Sequence, residues 1–185
     1  HTSRVSEIFR EFFAVINTDR RPWEQSKKQA FLALVTQNLK VFFAINSVRL
    51  CGNLVKQVTT NFPDLSCFPE AQRATYEYYL GRLCVYEEKF EDAYTHLMTA
   101  LSTLPRAGTG SAALAAVAAR NRRRILLLLV PVRLLLGRPV SARVLQSQGF
   151  DCYAALTRAV ANGDLALFND RYAPTPLSVT CHRLT

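Results

Sequence analysis

Side-chain catalysis needs nucleophiles, bases and acids at spacings that can converge, and this chain offers few of them. Its three histidines, His1, His96 and His182, lie far apart in sequence, and His96 sits alone in a helical stretch, where packing or surface duty is the usual role. The five cysteines, at 51, 67, 84, 152 and 181, form no CxxC pair and no short Cys/His spacing. Neither a zinc site nor a disulfide framework is therefore expected, and buried free thiols in a reducing compartment are. There is no GxSxG, no HExxH and no GxGxxG after a strand. Residues 108–113, GTGSAA, are glycine-rich, but no strand precedes them and no Gly-Lys-Ser/Thr follows, so they lack the parts of a phosphate loop. Glu87, Glu88, Glu91 and Asp92 fall at a helix junction, and the last two occupy a first turn, where the helix dipole favours carboxylates. No enzymatic activity, metal or cofactor is expected.

The positive chemical signal is arginine. Arg120, Arg122, Arg123 and Arg124 form a run, and Arg133, Arg138 and Arg143 follow it. Guanidinium groups suit paired contacts to carboxylate and phosphate. The net charge of +9 is unevenly placed: residues 1–92 carry 12 Lys/Arg against 11 Asp/Glu, and residues 93–185 carry 11 against 3. A basic half implies an acidic partner, polypeptide first and nucleic acid second. The seven arginines are the candidate anion- or partner-binding cluster. A solvated helix start or a nuclear localisation patch is the simpler account of the run. On a helix Arg120 and Arg124 share a face. A helix starting here would set the charges against its own dipole, whereas an alanine tract that made them mid-helix would remove that cost.

The elements that must hold these residues are organised around Tyr76–Pro105. Tyr79, Leu80, Leu83 and Tyr86 form one helical stripe, and Phe90, Ala93, Tyr94, Leu97, Ala100 and Leu101 form a second. Glu87-Glu88-Lys89 between them has the length that turns one helix back on another. Small residues mark the crossing, Gly81 on the first helix and Ala93 and Ala100 on the second, because the distance between axes is set by what lies between them. Gly81 is expected to pack near Ala93 and Leu97. The spacing resembles one tetratricopeptide-type repeat, incomplete because Glu77 and Cys84 stand where that repeat prefers large aromatics; an ordinary helical hairpin fits as well.

Upstream, Val5–Ile16 reads as an amphipathic helix, with Pro22 placed for the first turn of the next. A long helix carries the stripe Phe31, Leu34, Val35, Asn38, Phe42, Ile45 and Val48, with Cys51-Gly52-Asn53 as its expected break. Downstream, residues 106–111 read as a flexible joint and Ala112–Ala119 as a weakly packed helix. Residues 125–136, ILLLLVPVRLLL, are apolar on every side, so central, yet too short to span a bilayer. Pro131 is expected to kink or break this segment. Ser141 is a candidate cap for a short helix, Gly163 a left-handed stop, and Asp164 a cap for Leu165–Tyr172. With 49% apolar residues, 20% charged and no sustained alternation, the expected class is all-α, an antiparallel helical array with tetratricopeptide-like hairpins.

Several segments read together resemble one family. They are FFAINSVRLCGNLVKQV (42–58), AQRATYEYYLGRLCVYEEKFEDAYTHLMTAL (71–101), RNRRRILLLLVPVRLLLGRPVSARVL (120–145) and LTRAVANGDLALFNDRYA (156–173). The most specific pieces are Gln72-Arg73, Thr75-Tyr76, Tyr78-Tyr79 and Gly81-Arg82, then Ile125-Leu126 through Pro131 to Leu135, Gly137 and Pro139. Over residues 38–172 the chain resembles the helical-repeat part of PCI-domain proteins, in the branch of the nuclear transcription-and-export subunit and the signalosome-subunit-twelve-like proteins. That resemblance implies a non-enzymatic scaffold in mRNA export, located in the nucleus, at the nuclear pore and also in the cytoplasm. It implies as partners a large helical scaffold protein and a small acidic subunit, with RNA or DNA as a further contact and no membrane. Direct nucleic-acid binding through the basic half is the alternative function. Two departures stand out. Residues 107–119 look like an insertion, and the chain stops near where the family's winged helix begins. Residues 1–173 are therefore expected to form the helical-repeat domain and 174–185 a tail, with the winged helix absent from this chain.

Overall fold

A computed structural model describes residues 9, 11–16, 18–62, 64–104 and 111–172. Its helices are α1 (11–16), α2 (Phe31–Ala44), α3 (Cys51–Asn61), α4 (Glu70–Tyr86), α5 (Phe90–Ser102), α6 (Ala112–Leu135), α7 (Ala142–Ser147), α8 (Asp151–Asn162) and α9 (Leu165–Tyr172). The fold is all-α, and no strand occurs among the described residues. Residues 5–8 and 10 of the amphipathic segment expected at 5–16, residues 106–110 of the expected joint, and all of the expected tail at 174–185 lie outside the described residues.

The helices stack in sequence order, and three apolar clusters lie between them. Ile16, Phe31, Val35, Leu39, Leu54, Val58 and Tyr76 belong to the first, which joins α1 to α4. Ala93, Leu97, Ala100, Ile125, Leu129 and Val132 make the second, between α4, α5 and α6. Val130, Leu145, Phe150 and Ala154 make the third, between α6, α7 and α8. Each layer therefore touches its neighbours in order, as in helical-repeat proteins.

This arrangement explains two segments that lack a single apolar stripe. α4 turns Tyr76 and Leu83 into the first cluster while Tyr78, Cys84 and Val85 pack on the second. α6 turns Ile125, Leu129 and Val132 one way and Val130 the other. A helix covered on two faces has to be apolar on both.

Three expectations are corrected. First, the long helix does not run on through Val48. It ends at Ala44; Ile45-Asn46 turn the chain, with Asn46 at φ 56°, and a 3-10 turn at Val48–Leu50 leads into α3. Asparagine tolerates that left-handed conformation better than most residues, and the expected break, Cys51-Gly52-Asn53, is instead the first turn of α3. Second, Pro131 does not break α6, which continues to Leu135. A proline inside a helix costs about 3 kcal/mol, whereas burying each of Ile125, Leu129, Val130 and Val132 contributes roughly 1.5–3 kcal/mol. Packing on two sides outweighs the lost hydrogen bond. Third, not every cysteine is buried: Cys51 is, Cys84 is half-buried and Cys67 is exposed on the loop before α4. Burial pushes the Cys51 thiol up to about 11.

The expected caps are present. The Ser141 side chain accepts from Val144 N, and Asp164 Oδ1 accepts from Leu167 N at 2.9 Å. Gly163 adopts φ 66° at the end of α8, where a side chain would be strained.

Candidate interaction surface

The α4–α5 hairpin sets the geometry. Glu87 and Glu88 turn the chain, Glu88 with φ 60°, and the two helices return side by side. A Cβ added at Gly81 would lie 2.6 Å from Leu97 Cγ and 2.8 Å from Leu97 Cδ2, so only glycine allows this approach. Ala93, Leu97 and Ala100 are fully buried at the same contact. Across the hairpin His96 Nδ1 lies 2.7 Å from Glu77 Oε2. The Glu77 carboxylate raises the His96 pKa against the opposing effect of burial, with Asp92 adding to the rise. Glu77, out of place for a tetratricopeptide repeat, is the partner of a half-buried histidine.

α6 then lies across the hairpin. Its alanine-rich start is helical, capped by Ser111, and exposed from Ala112 to Val117. The arginine run is thus mid-helix and does not oppose the helix N-terminus. The structure does not gather the seven arginines into one patch. Arg123 turns inward, 5.1 Å from the centroid of the Phe150 ring, with Nη1 donating to the Gln148 carbonyl at 3.4 Å. Arg138 donates from both terminal nitrogens to Glu91, at 3.1 and 3.2 Å, and lies 5.5 Å from the Tyr94 ring centroid. Arg133 Nε donates to the Arg138 carbonyl at 2.9 Å. Arg122 is half-buried and engaged. Arg120, Arg124 and Arg143 are exposed, and none makes a hydrogen bond or ion pair with another described residue.

Arg124 borders a groove of about 520 Å³ between α4 and α6. Its walls are Ala71, Ala74, Thr75, Tyr78 and Tyr79 from α4 and Leu114, Val117, Ala118, Asn121 and Ile125 from α6, with Thr103 and Leu104 at the end of α5. A second depression of about 420 Å³, lined by Asp64, Ser66, Arg73, Glu77, Thr99 and Thr103, is polar. Its three carboxylates already have partners, Asp64 in Ser66, Glu77 in His96 and Glu70 in Arg73 at 3.8 Å. Among the described residues no group of three or more His, Cys, Asp or Glu is placed to hold a metal, and no helix is long and apolar enough to cross a membrane.

This layered array can be compared with known proteins. No family model matches the chain. It is 31% identical over 169 residues to PCI domain-containing protein 2 of Xenopus laevis, a match covering 90% of this chain and 39% of that protein. To the Danio rerio protein of the same name it is 32% identical over 168 residues, with the same coverage of each. It is 33% identical over 126 residues to the CSN12 homolog of Neurospora crassa, covering 66% of this chain and 26% of that protein. The chain belongs to the PCI-domain family. It spans about two fifths of the length of the PCI domain-containing protein 2 relatives it matches.

In this PCI-domain chain the sequence pointed to the packing residues Gly81, Ala93, Leu97 and Ala100 but not to the groove. The signal was available: Leu114, Val117 and Ala118, Asn121, and Arg124 and Ile125 recur at helical spacing straight through the alanine tract and the arginine run. The composition change between tract and run hides a continuous face. No comparable signal existed for Arg123 on Phe150 or Arg138 on Glu91, pairs 27 and 47 positions apart.

Proposed function

We propose that the protein is a non-enzymatic scaffold subunit of a nuclear mRNA-export-type complex, acting by binding and not by turnover. It binds a large helical scaffold partner and a small acidic subunit, in the nucleus, at the nuclear pore, and in the cytoplasm. The observation that carries the reading is the similarity to PCI domain-containing protein 2 along nine tenths of the chain. Two features agree with it. Leu114 and Val117 on α6 are large apolar residues exposed to water, and the groove between α4 and α6 that they border is lined mainly by apolar side chains.

The alternative, direct binding of nucleic acid, needs the arginines of the basic half on one exposed face. Arg123 and Arg138 are engaged within the chain, which lowers the number of cations offered to a phosphate backbone. Affinity purification of the full-length protein, followed by identification of its stable companions, tests the scaffold reading. Nuclear export components in fixed proportion are the expected result; recovery alone, or with nucleic acid only, overturns it.

A further inference from the structure

We infer that the groove between α4 and α6 is the seat of an amphipathic helix from a partner polypeptide, aliphatic on one face and acidic at one end. The inference rests on the scaffold reading for the existence of a companion chain and adds where it sits and what it looks like.

The groove has the form a helix needs. Its walls are two helical faces, each repeating at intervals of three and four residues. Small side chains, Ala71, Ala74 and Ala118, let a third helix approach closely, since interaxial distance depends on the residues at the contact. On α4 the lining runs from Glu70 to Tyr79, about 14 Å at 1.5 Å per residue, or roughly two and a half turns of a docked helix. Leu114 and Val117 are 63% and 50% exposed on the α6 wall, large apolar groups facing water beside a concave surface. Helices that lie in such grooves insert side chains at i, i+3 or i+4, and i+7.

Charge selects the occupant. Arg124 lines the groove together with Tyr79, whose pKa burial raises while the Arg82 and Arg124 guanidiniums offset part of the rise. Arg120 stands one turn before it on α6, and neither guanidinium has an ion pair among the described residues. Glu70, at the far end, is near Arg73 at 3.8 Å. An incoming helix with Asp or Glu in the turn that reaches Arg120 and Arg124 is matched; one with Lys or Arg there is repelled. A second copy of this chain is disfavoured, because pairing through this face would set α6 arginines against each other. A nucleic-acid strand is disfavoured too, because the lining is mainly aliphatic and aromatic with the single cation Arg124 among its described residues, not a row tracking a backbone.

The test places a photoreactive phenylalanine analogue at Val117 of the full-length protein in cells, with a matching probe at the exposed Leu165 as control. The expected product is one segment of another polypeptide, captured from Val117 and not from Leu165. On sequencing it carries apolar residues at three- and four-residue intervals and a carboxylate within a turn of them. The double reversal Arg120→Glu and Arg124→Glu, with an unchanged circular dichroism melt, is expected to remove most of that product. Capture of the chain's own residues, of a second copy or of nucleic acid overturns the inference, as does no product at all. A product that survives the double reversal also overturns it. Co-purification from the unsubstituted protein, run in parallel, separates the two failures. Companions retained without a Val117 product sink the groove alone, and no companions at all sink the scaffold reading as well.

Discussion

His96 on α5 places Nδ1 2.7 Å from Glu77 Oε2 on α4, joining the two helices of the hairpin by a polar contact where both side chains are largely shielded from water. The contact raises the histidine's pKa above its ordinary value of 6.5. A group whose pKa is higher in the folded state stabilises that state fully below its unfolded value, and the contribution fades as pH rises through the folded value. The melting temperature of the native protein should therefore exceed that of His96→Gln most at about pH 5.5–6, and the gap should shrink toward about pH 8.5. A gap that is constant, or grows with pH, would show that the histidine contributes by packing alone.

Gly81→Leu should destabilise the fold. The added side chain meets Leu97 Cγ and, behind it, the Leu97 backbone nitrogen, which a Cβ alone would approach to 3.3 Å. Overpacking of this kind costs about 1–3 kcal/mol, more than the roughly 1 kcal/mol that replacing a helical glycine returns. Urea unfolding with an unchanged midpoint would mean that the hairpin crosses elsewhere.

The arginines of the run should behave differently when replaced singly by alanine. Arg123→Ala loses its place over the Phe150 ring and should cost about 0.5–1 kcal/mol. Arg120→Ala and Arg124→Ala, both on the exposed face of α6, should stay within about 0.5 kcal/mol of the native protein. Equal losses for all three, in thermal or chemical unfolding, would contradict the division between engaged and unengaged arginines.

Arg138 and Glu91 make a two-pronged ion pair that is exposed on both sides. Exposed pairs contribute little, a median of about 0–1 kcal/mol. Glu91→Gln should lower stability by less than about 1 kcal/mol, and the loss should fall further in high salt. A larger loss that persists in high salt would mark the pair as structural.

If the basic face takes a nucleic acid, the salt dependence will report it. Replacing Arg120 and Arg124 by alanine would remove at most two phosphate contacts and reduce the log–log salt slope for duplex DNA by up to about 1.8. An acidic polypeptide should lose affinity with the same substitutions. Identical affinities and slopes for both proteins, against both ligands, would leave these arginines as a solvated face or a localisation patch.

What the sequence alone determined is local. The turn at Glu87-Glu88-Lys89, the caps at Ser141 and Asp164, and the stop at Gly163 all follow from residues within a turn or two of each other, and the crossing at Gly81 from small residues on two helices joined by that short turn. Hydrogen bonds, dihedral preferences and helical periodicity act over that range, so their signals are written in short stretches. What only the tertiary structure decided depends on residues far apart. Pro131 stays inside a helix because two apolar clusters hold α6 from opposite sides. Glu77 is a partner for His96 nineteen positions on, and Arg123 and Arg138 are drawn out of an apparently uniform basic half by Phe150 and Glu91. The groove exists because α4 and α6, separated by a whole helix in sequence, lie side by side over the end of α5. Burial and charge pairing depend on distance in space, which a linear pattern does not contain.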